Sequence, residues 1–314
     1  MSPGAKASRR ASLHRRTPRL PRRPTVDGLL ADAEARLEAR DVEFPDASAL
    51  WLLAHAMGEE DPDRLEERGD ERVDPDVAER FLELVDRREA HEPFQYIVGV
   101  ADFRGVLMEV QHGVFLPRLQ SERMCDEIEE WAAAREPPED GWRIADLGAG
   151  CGALGISLAM GPLAPVRVWA VDVSPHALDL VRRNARRHGV EDRVRALAGD
   201  WLSAIRPAPV FDVVTAVPPY LNPGDEEYLS EESLRWEPLE TFFGEPSGDH
   251  LLAMIVDEAA PRLRPGGLLA LQLDAEQIPA LDAYVNGDPD HPLTIEWILH
   301  DEDGDEDAIL AVKS

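Results

Sequence analysis

Asp146-Leu147-Gly148-Ala149-Gly150-Cys151-Gly152 joins a strand-like run, Arg143 to Leu147, directly to a helical pattern, Ala153 to Met160. Three glycines at alternate positions let the backbone turn sharply and leave bare main chain at a helix N-terminus, where a ligand can lie against it. The next apolar run, Val166 to Val171, closes on Asp172, twenty residues beyond Gly152. An acid at that strand end can accept hydrogen bonds from both hydroxyls of a ribose. Loop and acid together point to a nucleoside. Gly148, Gly150 and Gly152 follow GxGxG with an acid before them, whereas the dinucleotide fingerprint is GxGxxG. A cationic, amino-acid-bearing nucleoside suits this pattern better than a pyrophosphate. The competing structural role for Asp172 is an N-cap on the segment starting at Ser174, and Cys151 reads as a small residue fitted to the backbone rather than a reactive thiol. A third run, Val194 to Leu197, leads to Gly199-Asp200-Trp201, where Asp200 can take an adenine amino group while the Trp201 indole lies along the base.

Working outward, strand-like runs alternate with helical patterns through Phe211 to Ala216 and Leu268 to Leu273, which implies a parallel sheet covered on both faces. Leu293 to Leu299 and Ala308 to Val312, separated by an acidic turn, are expected as a hairpin at the sheet edge. The expected fold class is therefore α/β, Rossmann-like, with a mostly parallel sheet of seven strands.

Before this domain the texture differs. Between Val26 and about Arg88 apolar residues recur at helical spacing, as in Leu29, Leu30, Ala33 and Leu37, and later Phe81, Leu82 and Val85. Three short helices are expected, with Asp46 and Asp74 as N-caps. Apolar-polar alternation around Arg104-Gly105, with Ile97, Val98 and Val100 on one side and Val106, Leu107 and Val110 on the other, predicts a β-hairpin, and a helix over Ser121 to Ala134 follows. The expected organisation is a disordered basic extension over 1–24, a helical domain over 25–92, a hairpin linker over 93–118 and the α/β domain over 119–314.

The formal net charge is −29, although the first 24 residues hold Lys6 and seven arginines with no acid, which leaves the remainder at −37. Such a body repels phosphate backbones, so protein or small-molecule partners are expected in place of nucleic acid. No apolar run reaches the length of a membrane span. Cys125 and Cys151 are too few for a disulfide framework and show no metal-binding spacing, so a reducing cytoplasm is expected and no metal.

After the fourth strand comes Val217-Pro218-Pro219-Tyr220. With Phe94-Gln95-Tyr96-Ile97-Val98-Gly99, Phe115-Leu116-Pro117-Arg118 with Glu122, Trp236-Glu237-Pro238, Gly244 with Gly248, and Arg264-Pro265-Gly266-Gly267, the chain from about Val26 onward resembles the HemK family of protein-(glutamine-N5) methyltransferases, which modify release factors. The resemblance implies a class I methyltransferase domain using S-adenosyl-L-methionine, and a helical domain that recognises the substrate protein. By the same resemblance Gly148, Ala149, Gly150, Cys151 and Gly152 would line the cofactor, Asp172 would hold its ribose, Asp200 and Trp201 its adenine, and Val217 would abut it. Val217, Pro218, Pro219 and Tyr220 stand where the family carries catalysis, and Arg118, Pro218, Pro219 and Tyr220 where it holds the substrate.

One position departs from the family. The residue before the two prolines is Asn there and Val217 here. An amide nitrogen is a poor nucleophile, because its lone pair is delocalised into the carbonyl. In the family the Asn side-chain oxygen and the carbonyl of the first proline accept the amide hydrogens, which orients the nitrogen and raises its electron density. Loss of one such partner costs on the order of 10²–10³ in rate, by analogy with an oxyanion-hole donor. The family pattern Ile-Pro-Arg-Pro-Glu-Thr-Glu is also altered, to Leu116-Pro117-Arg118-Leu119-Gln120-Ser121-Glu122. Three readings follow: a divergent glutamine methyltransferase, the same scaffold acting on another nucleophile in a small molecule or peptide, and a cofactor-binding protein without catalysis.

Overall fold

The computed structural model describes residues 23–163, 165–244, 246–300 and 306–314. The expected basic extension and the acidic turn before the last strand fall almost entirely outside them. The chain forms two compact units, one ending at Glu89 and the other running from Ala90 to Ser314.

In the first unit, α1 (Val26–Glu38), α2 (Pro45–Met57) and α3 (Pro75–Arg88) form the expected helices, with a 3-10 segment at Pro62–Arg68. Leu29, Ala33, Leu37, Leu52, Leu53, Phe81 and Val85 are buried and form the core that the 3.6-residue periodicity selects. Asp74 caps α3 by accepting from the Asp76 N–H. Asp46 does not cap α2. Phe44, at φ 50°, is the cap residue, and Pro45 opens the helix, where the missing N–H of proline costs nothing, so Asp46 falls inside the first turn. Arg88, 1 % exposed, is satisfied by Ser48 Oγ and the Glu43 carbonyl, both accepting at 3.0 Å.

The second unit opens with α4 (Phe94–Val98) and a hairpin of β1 (Val100–Phe103) and β2 (Val106–Glu109). Ile97 and Val98 are helical, a correction to the longer hairpin expected. Pro93 starts that turn of helix and Gly99, at φ 79°, ends it, and so short an apolar run carries no period that separates helix from strand. Val110 lies just past β2, its N–H donating to the Gly99 carbonyl. The hairpin turn is Arg104-Gly105, both at positive φ.

After α5 (Gln120–Ala133) the chain alternates β3 (Trp142–Leu147), α6 (Ala153–Met160), β4 (Val166–Asp172), α7 (Pro175–Arg187), β5 (Val194–Ala198) and β6 (Phe211–Ala216). The short helix α8 (Glu231–Trp236) and α9 (Gly248–Ala259) lead to β7 (Leu263–Gln272), α10 (Ile278–Val285) and an edge pair, β8 (Leu293–His300) and β9 (Glu306–Lys313). The seven strands run in the order β5-β4-β3-β6-β7-β9-β8. Those from β5 to β7 are parallel, and β9 is antiparallel to both neighbours. The expected α/β architecture is thus present, with β7 starting five residues earlier than its apolar run suggested because Arg264-Pro265-Gly266-Gly267 is drawn into the strand. Every residue of β6 is buried, as a central strand covered on both faces requires. Strand order reverses between β3 and its neighbours β4 and β6, so the carboxyl ends of these three strands open the crevice where α/β sheets bind ligands.

Candidate functional site

At the end of β3 the backbone takes φ of 65°, 54° and 85° at Gly148, Gly150 and Gly152, a left-handed path open to glycine alone without strain. A side chain on Gly152 would stand 3.0 Å from Ile156 and 3.2 Å from Val181, so this glycine serves close packing. Gly155 lets α6 lie on β3, and its N–H donates to Asp146 Oδ2 at 3.0 Å. Asp146 is buried, and burial pushes its carboxyl up to about 7 despite that hydrogen bond.

Asp172, at the end of β4, fastens the loop. Its Oδ2 accepts from the Gly150 N–H at 2.9 Å and its Oδ1 from the Ser174 N–H at 2.8 Å. Burial raises its pKa against those bonds. Ser174, not Asp172, is the N-cap of α7. The Val173 N–H also donates to the Asp172 carboxylate, so three backbone donors occupy it and about one of its roughly four acceptor sites is left for a further donor.

Trp201 follows β5 at φ 49°, and its half-buried ring lies against Gly148, where a Cβ would be 3.6 Å from Cζ3. Asp200 beside it is exposed. Cys151 is buried, its thiol pushed up to about 12 by burial, and its carbonyl accepts from Asn184. It is a packing residue without thiolate character.

These groups surround a cavity of about 250 Å³, lined by Gly148, Gly150, Asp172, Asp200, Trp201, Val217 and Pro219, among others. Ala149 and Cys151 face a smaller cavity of about 60 Å³ shared with Asp146, Arg118 and Ser121. A third, of about 580 Å³, is lined by Pro218, Tyr220, Arg118, Gln120, Gln272 and Asp274, among others. Phe115 and Val217 line all three. Of the residues predicted from sequence, only Gly152 lines none of them.

The Pro-Pro-Tyr segment is fixed from behind. A Cβ on Gly248 would lie 1.7 Å from the Tyr220 carbonyl oxygen, and one on Gly244 would lie 2.7 Å from that of Pro219. The Leu221 N–H donates to the Phe242 carbonyl and the Gly244 N–H to the Leu221 carbonyl, each at 2.9 Å. Gln277 Nε2 donates to the Tyr220 carbonyl at 2.9 Å, and the Gly248 N–H to Asn222 Oδ1 at 3.0 Å. Burial raises the Tyr220 hydroxyl above its usual range, so it stays protonated.

Arg118 pairs with Glu237, and its guanidinium stacks 4.4 Å from the Phe115 ring centre. The Glu237 side chain, 1 % exposed, also accepts from the Leu116 N–H and from Ser233 Oγ, each at 3.1 Å. Tyr96 Oη donates to the Val114 carbonyl at 2.6 Å. In the sequence Phe115, Glu237 and Tyr96 stand out only within the stretches that carry the family resemblance. Their supporting roles come from contacts as distant in sequence as 116 with 237, which no local pattern reveals. Among the described residues no group of His, Cys, Asp and Glu could hold a metal ion, and no helix is long and apolar enough to cross a membrane.

The cavity at the switch point of this sheet shares Val217 with a second cavity lined by Pro218 and Tyr220, and sheet and site together define a class I methyltransferase. The family model for the PrmC N-terminal domain matches residues 28–99, and that for the methyltransferase small domain matches 132–234. The release factor glutamine methyltransferase of Moorella thermoacetica is 37% identical over 253 residues, 81% of this chain and 87% of that one. That of Bordetella pertussis is 34% identical over 260 residues, 82% of this chain and 88% of that one. Among solved structures, a methyltransferase from Pyrococcus furiosus superimposes with a TM-score of 0.49 at 16% identity, covering 73% of this chain and 99% of that one. The chain belongs to the release factor glutamine methyltransferase family.

Proposed function

We propose that this chain transfers a methyl group from S-adenosylmethionine to the side-chain nitrogen of a glutamine in a protein of the release-factor type. The observation that carries this reading is the meeting of two cavities at Val217: one bounded by the glycine loop, Asp172 and Trp201, the other by Pro218 and Tyr220. The residues present fit the cofactor. Bare backbone at Gly148 and Gly150 admits its chain, Asp172 retains acceptor capacity for a ribose hydroxyl, and the Trp201 ring offers a face to adenine. Asp146 and the small cavity suit the ammonium of its amino-acid end.

When bound, S-adenosylmethionine would supply an electrophilic sulfonium methyl for in-line attack by the amide nitrogen, the thioether leaving with the carbon–sulfur pair and the nitrogen proton passing to water. The protein's task is to present the amide nitrogen at the right distance and angle. Pro218 and Tyr220 bound the channel that admits the side chain, and the helical domain over 25–92 is assigned to recognition of the substrate protein. Transfer of labelled methyl to a release factor or a Gln-bearing peptide, with mass spectrometry locating the modified glutamine, tests the reading. Val217, which accepts no hydrogen bond, supports a second reading, an amine or hydroxyl acceptor in a small molecule or peptide. Labelling of a metabolite and not of glutamine would establish that one instead.

A further inference from the structure

We propose that Thr241 Oγ1 accepts one N–H of the bound glutamine amide and so supplies the acceptor that Val217 lacks. The proposal rests on the glutamine reading above. Among the described residues three line both the cofactor-side and the substrate-side cavity: Phe115, Val217 and Thr241. Thr241 alone of these has a polar side chain.

Its hydrogen is already committed. Thr241 Oγ1 donates to the Pro238 carbonyl at 2.6 Å, across the 3-10 turn Leu239–Thr241. A hydroxyl has one donor and two lone pairs, so Oγ1 is left as an acceptor only. An amide NH2 is a pair of donors, and an acceptor-only oxygen at the cavity junction matches one of them.

The turn is tied to the catalytic segment. The Leu221 N–H donates to the Phe242 carbonyl, next in chain to Thr241, and the Gly244 N–H returns a bond to the Leu221 carbonyl. Bare backbone at Gly244 brings this rail close to the Pro219 carbonyl. Thr241 therefore keeps a fixed position relative to Pro218 and Pro219. It departs from the Asn arrangement by approaching the amide from the loop wall instead of from the strand end.

The test is kcat/KM for methyl transfer to a Gln-bearing release-factor peptide, together with peptide affinity by fluorescence anisotropy in the presence of S-adenosylhomocysteine. Thr241→Val keeps the shape and removes the acceptor. It should lower kcat/KM about ten- to a hundredfold and weaken peptide binding, with S-adenosylhomocysteine affinity unchanged. Thr241→Ser should regain most of the loss. Thr241→Val combined with Val217→Asn should also recover activity, although the turn bond to Pro238 is still missing. A role confined to holding the turn would leave that double variant as poor as Thr241→Val. That outcome, or wild-type kcat/KM in Thr241→Val, overturns the proposal while the glutamine reading stands. Absence of product from the wild-type protein on every glutamine substrate overturns the glutamine reading and the role of Thr241 with it.

Discussion

Replacing Gly248 by alanine adds one methyl group and should cost most of the methyl-transfer rate. The reason is space, since Gly248 is a helical residue without left-handed φ, at the start of α9. Its new Cβ would fall 1.7 Å from the Tyr220 carbonyl oxygen, 2.5 Å from the carbonyl carbon and 2.9 Å from Gln277 Nε2. Real Cβ atoms essentially never approach a neighbour within 3.0 Å, so helix and Pro-Pro-Tyr segment must separate by at least about 1.3 Å. The helix side resists, because Leu251, Leu252, Ile255 and Val256 are buried in the core. The displacement therefore falls on Pro219 and Tyr220. A shift of about 1 Å in a positioning element can cost on the order of 10²-fold in rate. Overpacking of this kind also costs about 1–3 kcal/mol of stability. The assay is kcat/KM for methyl transfer beside S-adenosylhomocysteine affinity by calorimetry and a thermal scan. The expected outcome is a fall of about a hundredfold in kcat/KM with a much smaller change in cofactor affinity, because Gly148, Asp172 and Trp201 stand at the ends of β3, β4 and β5 and only Pro219 of the displaced segment lines the same cavity. Wild-type kcat/KM in Gly248→Ala would refute the argument that the glycine is there to seat the Tyr220 peptide.

Asp172→Ala removes the acceptor assigned to the ribose and frees the Gly150 N–H, so S-adenosylhomocysteine affinity should fall by about a hundredfold; an unchanged Kd by calorimetry sinks the assignment. Asp146 titrates near 7 because burial disfavours its charge, and a bound ammonium favours it. Affinity for S-adenosylhomocysteine should therefore rise about tenfold between pH 6 and pH 8. The sign for the free protein is opposite: the folded state holds this proton up to about 7 while an unfolded aspartate releases it near 3.9, so stability falls across that window. Asp146→Asn should flatten both profiles. Glu237→Ala leaves the Leu116 N–H and the Arg118 guanidinium without their partner, at a cost of about 3 kcal/mol, the low end for a buried pair because Arg118 is partly exposed; a thermal midpoint equal to that of the wild type would contradict it.

Much of the α/β unit was legible because its central strands read as apolar runs and β3 ends in a glycine turn. Phe211 to Ala216 reads as an unbroken apolar run apart from Asp212 and Thr215, and all six residues are buried. Gly148 to Gly152 and Asp172 were legible as a pair because one βαβ unit fixes both the spacing and the end of the strand. Asp212 shows what a linear reading leaves out: it is buried by accepting from the Arg143 N–H and Arg264, groups 69 and 52 positions away. Ile97 and Val98 look like strand for a local reason, since a single turn of helix between Pro93 and Gly99 is shorter than the period that identifies it. Thr241 carried no signal at all. It lies in an irregular stretch whose path is set by backbone bonds to Leu221 and by the fit of Gly244 against Pro219 and of Gly248 against Tyr220, all of them tertiary.

Val217 can be weighed against the same tertiary setting. Its half-buried side chain packs against the core cluster on one face of the sheet. An Asn there would set part of a carboxamide, two donors and an acceptor, against that apolar cluster, and each polar group left without a partner on that side would cost about 1–3 kcal/mol. Valine removes that resting cost along with the acceptor. Thr241 avoids the same cost by another route, because its one donor is already paired with Pro238 and a spare lone pair is cheaper to leave unmet than an orphaned N–H. On the proposed reading, the cavity junction at rest thus holds no unsatisfied donor and meets the substrate NH2 with an oxygen that needs no rearrangement. The departure from the family at position 217 then changes which wall of the site orients the amide, and leaves the path of the methyl group along Val217 and Pro218 where the fold of β6 puts it.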